Sequence, residues 1–154
     1  MLIIIGSIVV LFVALLFVID YRNDQAVQNA DNPYGTTDLE QATIDQLDDP
    51  NYGNQILPDE LEEAIESGEP VTVYFYSPTC VYCQQTTPYL VPLAEENGVD
   101  MKKLNLLEFG DQAAVYGIES TPTLIHYEDG EEVARIVGQQ EEEEFQAFFD
   151  EYVL

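Results

Sequence analysis

The chain of 154 residues contains only two cysteines, Cys80 and Cys83, and two residues separate them. A framework of disulfides cannot hold such a chain together, so its fold must rest on a hydrophobic core, for which a hydrophobic content of 46% is ordinary. A bond between the two cysteines would close a loop too short to stabilise the fold much, because that stabilisation grows with loop length. The pair must therefore serve either thiol chemistry or metal binding.

The cysteine pair lies at a predicted junction between a buried strand and a helix. Residues 71–76 are β-branched or aromatic throughout, which is typical of a strand buried on both faces. The following turn leads into a helix running towards Glu96, so Cys80 stands at or near its N-terminus, where unpaired N–H groups and the helix dipole favour a thiolate. Cys83 lies one helical turn further on the same face, within reach of a disulfide. We therefore predict that Cys80 is the attacking thiol and that Cys83 resolves.

Metal binding is the main alternative for this pair, because zinc also binds C-x-x-C sequences. A closed structural zinc site needs four ligands, whereas the chain contains a single histidine, His126, and no second cysteine pair. We therefore assign no metal ligands. A metal shared between two chains and a cysteine pair without a chemical role remain as alternatives.

The chain from residue 56 onwards alternates between helical and strand patterns. A helix with an acidic first turn begins at Asp59 and is closed by Gly68, and a second acidic helix begins at Glu141. Between them the sequence predicts further strands and helices, namely strands at 71–76, 101–106, 123–127 and 132–137 and helices over 83–96 and 111–116. The order βαβ followed by ββα is typical of an α/β sandwich in which helices cover both faces of a mixed sheet.

Several motifs in this order resemble those of the thioredoxin family. Pro88 stands five residues after Cys83, where thioredoxins carry the proline that kinks the active-site helix. The other matching segments follow in the order that the family has, and they are Lys103-Leu104-Asn105, the Y-G-I-x-x-x-P-T-L segment from Tyr116 to Leu124, and Gly138. The resemblance implies a three-layer α/β/α sandwich with a mixed central sheet. It also implies a protein-disulfide oxidoreductase that uses its own Cys80–Cys83 disulfide and no dissociable cofactor.

The resemblance further implies how substrates bind. Pro122 matches the cis-proline that faces the cysteines in the family, and the backbone of Thr121 before it would pair with an extended substrate strand. Val81, Tyr82, Pro88 and Lys103 would support the site. The substrates would be protein thiols and disulfides, electrons would pass to or from a second protein that the sequence does not identify, and the chain would be a monomer.

Two positions depart from the family pattern. Tyr74 stands where many thioredoxins bury an aspartate that takes the proton from the second cysteine, and Lys103 matches the lysine that accompanies this acid. Without the acid, we expect the side chain of Lys103 to extend to the surface. The dipeptide Val81-Tyr82 is neither the Gly-Pro of typical reducing thioredoxins nor the Pro-His of strong oxidants, so it does not indicate the direction of the reaction.

Residues 2–19 form an uncharged apolar run that, as a helix, would be roughly 27 Å long, close to the hydrocarbon thickness of a membrane. A cleaved signal peptide is the alternative, but the run is longer than usual, lacks a basic start and is followed by a poor cleavage site ending at Ala30. We expect a transmembrane anchor at 1–19, an acidic flexible linker at 20–55 and a thioredoxin-like domain at 56–154. The protein is then expected to be a single-pass plasma-membrane protein whose domain is extracytoplasmic, where substrate disulfides occur.

The net charge of −26 restricts the partners, since only four basic residues oppose thirty carboxylates. Nucleic-acid binding needs clustered lysine and arginine, so we expect no such partner. A solvated acidic surface that keeps the protein soluble is the simplest explanation, with salt adaptation and recruitment of basic substrates as alternatives. For the function as a whole, the alternatives are a non-catalytic thioredoxin-fold binding module, such as a chaperone or export factor, and a metal-binding protein that uses the cysteine pair.

Overall fold

The computed structural model describes residues 2–29 and 32–154 of the chain. Within these residues four strands form one mixed sheet, and they are β1 (Val71–Tyr76), β2 (Met101–Asn105), β3 (Thr123–Glu128) and β4 (Glu131–Val137). Their spatial order is β2-β1-β3-β4, in which β1 runs parallel to β2 and antiparallel to β3, and β3 runs antiparallel to β4. The strand that precedes the cysteines is therefore central, as its apolar sequence predicted.

The helices alternate with these strands. Those of the sandwich are α3 (Pro58–Glu66) before β1, α4 (Val81–Glu96) between β1 and β2, α5 (Gln112–Val115) before β3, and α6 (Glu142–Tyr152) after β4. The helical segments nearer the N-terminus are α1 (Leu2–Asn29), α2 (Gln41–Ile44) and a 3₁₀ turn at Pro50–Tyr52.

Successive residues of β1 face opposite sides of the sheet, because side chains alternate along a strand. Tyr74 and Tyr76 pack with α4 and α6 in one apolar cluster, whereas Val73 and Phe75 pack with α3 in another. Every residue of β1 is buried as a result. Helices thus cover both faces of the sheet, which confirms the predicted three-layer α/β/α sandwich.

Residues 32–55, which we call the strap, are more ordered than the flexible linker predicted from their composition. Backbone hydrogen bonds join the strap to β2, since the N–H of Lys103 donates to the Asn54 carbonyl and the N–H of Ile56 donates to the Lys103 carbonyl. β2 lies at the edge of the sheet, where backbone groups need partners, and the strap supplies them.

Polar side chains hold the earlier part of the strap against the same strand. The side-chain amide of Asn105, which is fully buried, donates to the hydroxyls of Tyr34 and Thr43 at 3.1 and 3.0 Å. These hydrogen bonds order a segment whose polar composition does not predict a hydrophobic core of its own. Composition alone therefore underestimated how firmly this part of the chain is attached.

Helix α1 extends from Leu2 to Asn29, and no proline or glycine interrupts residues 20–29. Within it, Ile5–Gln25 form a stretch of 21 residues, with a mean hydropathy of 2.1, that is long and apolar enough to span a membrane. A signal sequence has the same properties. The predicted boundaries between anchor, linker and domain stay predictions.

Candidate active site

Cys80 occupies the N-cap of α4 with an extended backbone (φ −79°, ψ 117°). Its Sγ accepts a hydrogen bond from the N–H of Cys83 at 3.2 Å and donates one to the carbonyl of Thr121 at 3.3 Å. Both cysteines are free thiols in this structure. The sulfur predicted to attack therefore lies at the helix N-terminus and beside the segment predicted to hold the substrate.

The two thiols differ in exposure and in acidity. Cys80 is partly exposed, whereas Cys83 is only 1% exposed. Burial alone would raise the pKa of Cys80, but hydrogen bonds from the Cys83 side chain and from the backbone N–H groups of Cys83 and Tyr82 help to lower it. Burial raises the pKa of Cys83 to about 12, and its hydrogen bond to Cys80 adds to the increase. Cys80 is thus the thiol of the pair that ionises first and that a substrate can reach.

The predicted substrate-binding pair, Thr121 and Pro122, lies next to Cys80. The peptide bond between these two residues is cis. The carbonyl of Pro122 accepts a hydrogen bond from the N–H of Gly138 at 2.7 Å, which joins this loop to the end of β4. The Thr121 carbonyl faces Cys80. The backbone is thus placed where an extended segment pairing with Thr121 would run past the Cys80 sulfur.

The residues between and after the cysteines shape the helix that carries them. Val81 and Tyr82 are 54% and 57% exposed, so they form an apolar rim beside Cys80. Pro88 lies inside α4. Because proline has no N–H, the carbonyl of Gln84 lacks its usual helical partner, and the helix is weakened one turn after Cys83.

Lys103 is buried, which corrects the expectation that its side chain extends to the surface. It is 3% exposed, and its ammonium donates to the Gly53 carbonyl of the strap at 2.9 Å. Burial lowers the pKa of Lys103 to about 8, although the nearby carboxylates of Glu95 and Asp100 oppose the decrease. The expectation was wrong because the strap covers this edge of the sheet and supplies a carbonyl to the ammonium.

The sequence model of the thioredoxin family matches residues 54–151, which include both cysteines. This chain belongs to the thioredoxin family. The thioredoxin of Chlamydia pneumoniae is 39% identical over 89 residues, which are 57% of this chain and 86% of that protein. Thioredoxin 1 of Synechococcus elongatus is 37% identical over 79 residues, which are 50% of this chain and 74% of that protein.

Solved thioredoxins also resemble the structure. A mutant thioredoxin from Halobacterium salinarum superposes with a TM-score of 0.56 at 29% identity and covers 65% of this chain and 89% of its own. Mitochondrial thioredoxin 3 of Saccharomyces cerevisiae, which is 20% identical, shares the fold with the same TM-score of 0.56 over 63% of this chain and 92% of its own. Family and fold together make this chain a protein-disulfide oxidoreductase, as predicted. Thioredoxins use their own disulfide rather than a dissociable cofactor.

The structure adds hydroxyl groups to this thioredoxin site that the sequence had not brought together. The hydroxyl of the buried Tyr74 lies 3.2 Å from that of Thr87, which donates to the Cys83 carbonyl at 2.7 Å. Tyr52 of the strap packs on Tyr76 with ring centroids 5.6 Å apart; burial raises the pKa of Tyr52, and the Thr87 hydroxyl partly opposes this. The signal for Thr87 was its position four residues after Cys83, on the same face of the helix. The strap sequence contained no comparable signal for Tyr52.

Within residues 2–29 and 32–154, no group of three or more histidine, cysteine or acidic side chains is placed to hold a metal. His126, the single histidine in the sequence, lies on β3 and is paired with Thr72, near the end of β1 that is remote from the cysteines. Its Nδ1 is 2.9 Å from the Thr72 hydroxyl and its Nε2 is 3.3 Å from the Glu128 carboxylate. In this thioredoxin fold the histidine is therefore not brought together with the cysteine pair.

Proposed function

We propose that this thioredoxin-family protein is anchored in the plasma membrane by α1 and exchanges disulfides with extracytoplasmic proteins through Cys80 and Cys83. The geometry of the two sulfurs supports the disulfide exchange. The partly exposed Cys80 Sγ accepts the Cys83 N–H at 3.2 Å, and Cys83 is buried directly behind it. Disulfide exchange needs one thiol open to the substrate and a second within reach of the first.

In the reducing direction, the Cys80 thiolate attacks one sulfur of a substrate disulfide. A bond forms between Cys80 and that sulfur, and the other substrate sulfur leaves as a thiolate that takes up a proton. The Cys83 thiol then loses its proton and attacks the Cys80 sulfur, so the bound substrate sulfur leaves and the Cys80–Cys83 disulfide forms. Two electrons pass to the substrate in this way, and a partner dithiol protein must return them. The oxidising direction is the reverse of these steps.

Thr121 and Pro122 are the proposed substrate-binding residues. Because the Thr121 carbonyl is 3.3 Å from the Cys80 Sγ, a substrate strand paired with this backbone carries its own sulfur past Cys80. Val81 and Tyr82 offer exposed apolar area beside the same sulfur. Main-chain pairing and apolar contact are largely independent of the substrate sequence, which suits an enzyme that acts on several proteins.

The proposed membrane anchor rests on the apolar part of α1. Its 21 residues from Ile5 to Gln25 make a helix about 32 Å long, enough to cross a hydrocarbon core of about 30 Å. An extracytoplasmic domain would meet disulfides, which persist in oxidising compartments. After reduction of the pair with a membrane-impermeant phosphine, a membrane-impermeant maleimide applied to intact cells should label Cys80. Labelling only after permeabilisation would place the domain in the cytoplasm, and a soluble mature protein lacking α1 would identify a signal peptide.

The redox function is tested by the reduction potential of the full chain in detergent micelles, equilibrated against glutathione and dithiothreitol buffers. A potential near about −270 mV would identify a reductase, and one near about −120 mV would identify a disulfide-forming oxidant. Cys80→Ser should abolish turnover of a protein disulfide. A cysteine pair that does not cycle reversibly, together with a function that survives Cys80→Ser, would favour the binding module. Stoichiometric metal uptake by the reduced pair would favour the metal-binding alternative.

A further inference from the structure

Two hydroxyl groups connect the central strand of the sheet to the turn that carries Cys83. Tyr74 on β1 and Thr87 on α4 are both fully buried. The Thr87 hydroxyl donates its proton to the Cys83 carbonyl at 2.7 Å, so the Tyr74 hydroxyl must be the donor in its 3.2 Å contact with the Thr87 oxygen. The result is a continuous bridge from Tyr74 through Thr87 to the backbone of Cys83.

The first turn of α4 needs such support because the helix is weakened immediately after it. Pro88 and Pro92 both lie inside α4 and donate no backbone hydrogen bond. Pro88 leaves the Gln84 carbonyl, the next after that of Cys83, without its helical partner. The bridge gives the adjacent Cys83 carbonyl an additional donor and ties it to a strand that is buried on both faces.

We propose that Tyr74 and Thr87 are positioning residues, which hold Cys83 in place for its attack on the Cys80 sulfur of the mixed disulfide. This inference rests on the proposed roles of Cys80 and Cys83. Resolution requires the Cys83 sulfur to approach along the line of the Cys80–substrate bond, and a small displacement of the attacking group lowers the rate strongly. Attack by Cys80 on the substrate depends on Cys83 only through the hydrogen bonds that stabilise the Cys80 thiolate, whereas resolution depends directly on the position of the Cys83 sulfur. The bridge should therefore affect the second step more strongly than the first.

The two steps can be separated with dipyridyl disulfide as the substrate and the reduced full chain in detergent micelles. Cys80 attacks first, forms a pyridyl mixed disulfide and releases one thiopyridone, at a rate proportional to the reagent concentration. Cys83 then displaces the second thiopyridone and closes the Cys80–Cys83 disulfide, at a rate independent of reagent concentration. The absorbance of thiopyridone records both phases, and Cys83→Ser should abolish the second.

Tyr74→Phe should slow the second phase by about threefold to tenfold, the factor that the net strength of one hydrogen bond would give, and should slow the first phase less. Thr87→Val should slow the same phase, whereas Thr87→Ser, which keeps the hydroxyl, should restore it. Because the two residues act as one bridge, Tyr74→Phe combined with Thr87→Val should slow resolution no more than the worse single variant. Tyr89→Phe is the matched control, since Tyr89 lies on the same helix but donates to the Gln140 carbonyl at 2.5 Å. It should change neither phase.

An unchanged second phase in Tyr74→Phe would overturn the inference. So would equal slowing of both phases, or a Tyr89→Phe effect as large as that of Tyr74→Phe, because either would indicate a general loss of structure. A different result would refute the proposed function instead. If the unaltered protein released a single thiopyridone, or released the second at a rate proportional to the reagent, Cys83 would not be closing a disulfide with Cys80.

Discussion

Replacing Lys103 with methionine should stabilise the fold at neutral pH. The Lys103 side chain is 3% exposed, and its ammonium donates to the Gly53 carbonyl at 2.9 Å. Methionine is unbranched and of similar length, so it can fill the same space without a charge. Gly53 is exposed, and its carbonyl can therefore bond to water once the ammonium is gone.

The size of the effect follows from the pKa of Lys103. Its decrease from 10.5 to about 8, at about 1.4 kcal/mol per pH unit, means that the charged form costs about 3 kcal/mol in the folded protein. Loss of the hydrogen bond to Gly53 should offset about 1 kcal/mol of this. Lys103→Met should therefore raise the free energy of unfolding by about 2 kcal/mol at pH 7.

The gain should disappear as the pH rises. Because the pKa of Lys103 is lower in the folded protein than in the unfolded chain, the unfolded chain binds more protons from about pH 8 to about pH 10.5, and wild-type stability rises through that range. The variant lacks this group, so its advantage should fall from about 2 kcal/mol at pH 7 to near zero at about pH 10. Buried tyrosines that titrate in the same range are common to both proteins and cancel in the difference.

Urea unfolding of the oxidised full chain in detergent measures this difference without titration of the thiols. Tyrosine fluorescence is the signal, because the chain has ten tyrosines and no tryptophan. Lys102→Met is the matched control, since Lys102 is 32% exposed, pairs with Asp100 at 3.0 Å and should show no such gain. A Lys103→Met variant that is less stable at pH 7, or whose advantage does not change with pH, would refute the reasoning.

The cysteine pair, the acidic surface and the strap each lead to a further prediction. Cys83→Ala should raise the pKa of Cys80, because a hydrogen bond from the Cys83 side chain helps to lower that pKa against the effect of burial. The pH dependence of alkylation by iodoacetamide measures the ionisation of Cys80, and an unchanged pH dependence would contradict the prediction. The melting temperature of the full chain should rise from low to molar sodium chloride, since salt screens the repulsion within a net charge of −26. A flat or falling dependence would exclude this effect of the charge. In the Lys103→Met background, which removes the buried charge, a chain that begins at residue 56 should be less stable than one that begins at residue 32 by about 2 kcal/mol or more, because the buried Asn105 amide loses both of its bonds to the strap. Equal unfolding curves in urea would show that the strap contributes nothing.

The elements around the cysteines could be predicted because their signals are local. The strand Val71–Tyr76 was expected at the same residues from its unbroken β-branched and aromatic sequence. Cys80 was expected at a helix N-terminus and is the N-cap of α4. Strands were expected at 123–127 and 132–137, and the turn between them contains Asp129 and Gly130, which adopt positive φ. Each prediction depended on residues close together in the sequence.

The strap and the environment of Lys103 could not be predicted, because their contacts join distant parts of the chain. Tyr34 and Asn105 are 71 residues apart and meet through one hydrogen bond. Lys103 and Gly53, which are 50 residues apart, meet in the same way. Single polar bonds of this kind leave no periodic pattern in the sequence. The bridge between Tyr74 and Thr87 depends on how β1 and α4 pack, whereas the sequence indicated only that helices cover both faces of the sheet.

Cys80 must form a thiolate in a protein that has thirty carboxylates and four basic residues. Three of these basic residues are bonded to other groups, and they are Lys102, Lys103 and Arg135. Hydrogen bonds at the start of α4, among them the Cys83 N–H at 3.2 Å, therefore stabilise the anion against the effect of burial. These donors are fixed by the fold, whereas repulsion from carboxylates more than about 10 Å away is screened at an ionic strength of about 0.1 M. A helix N-terminus thus suits a nucleophile within an acidic surface, where a cationic side chain would be drawn into ion pairs with the surrounding carboxylates.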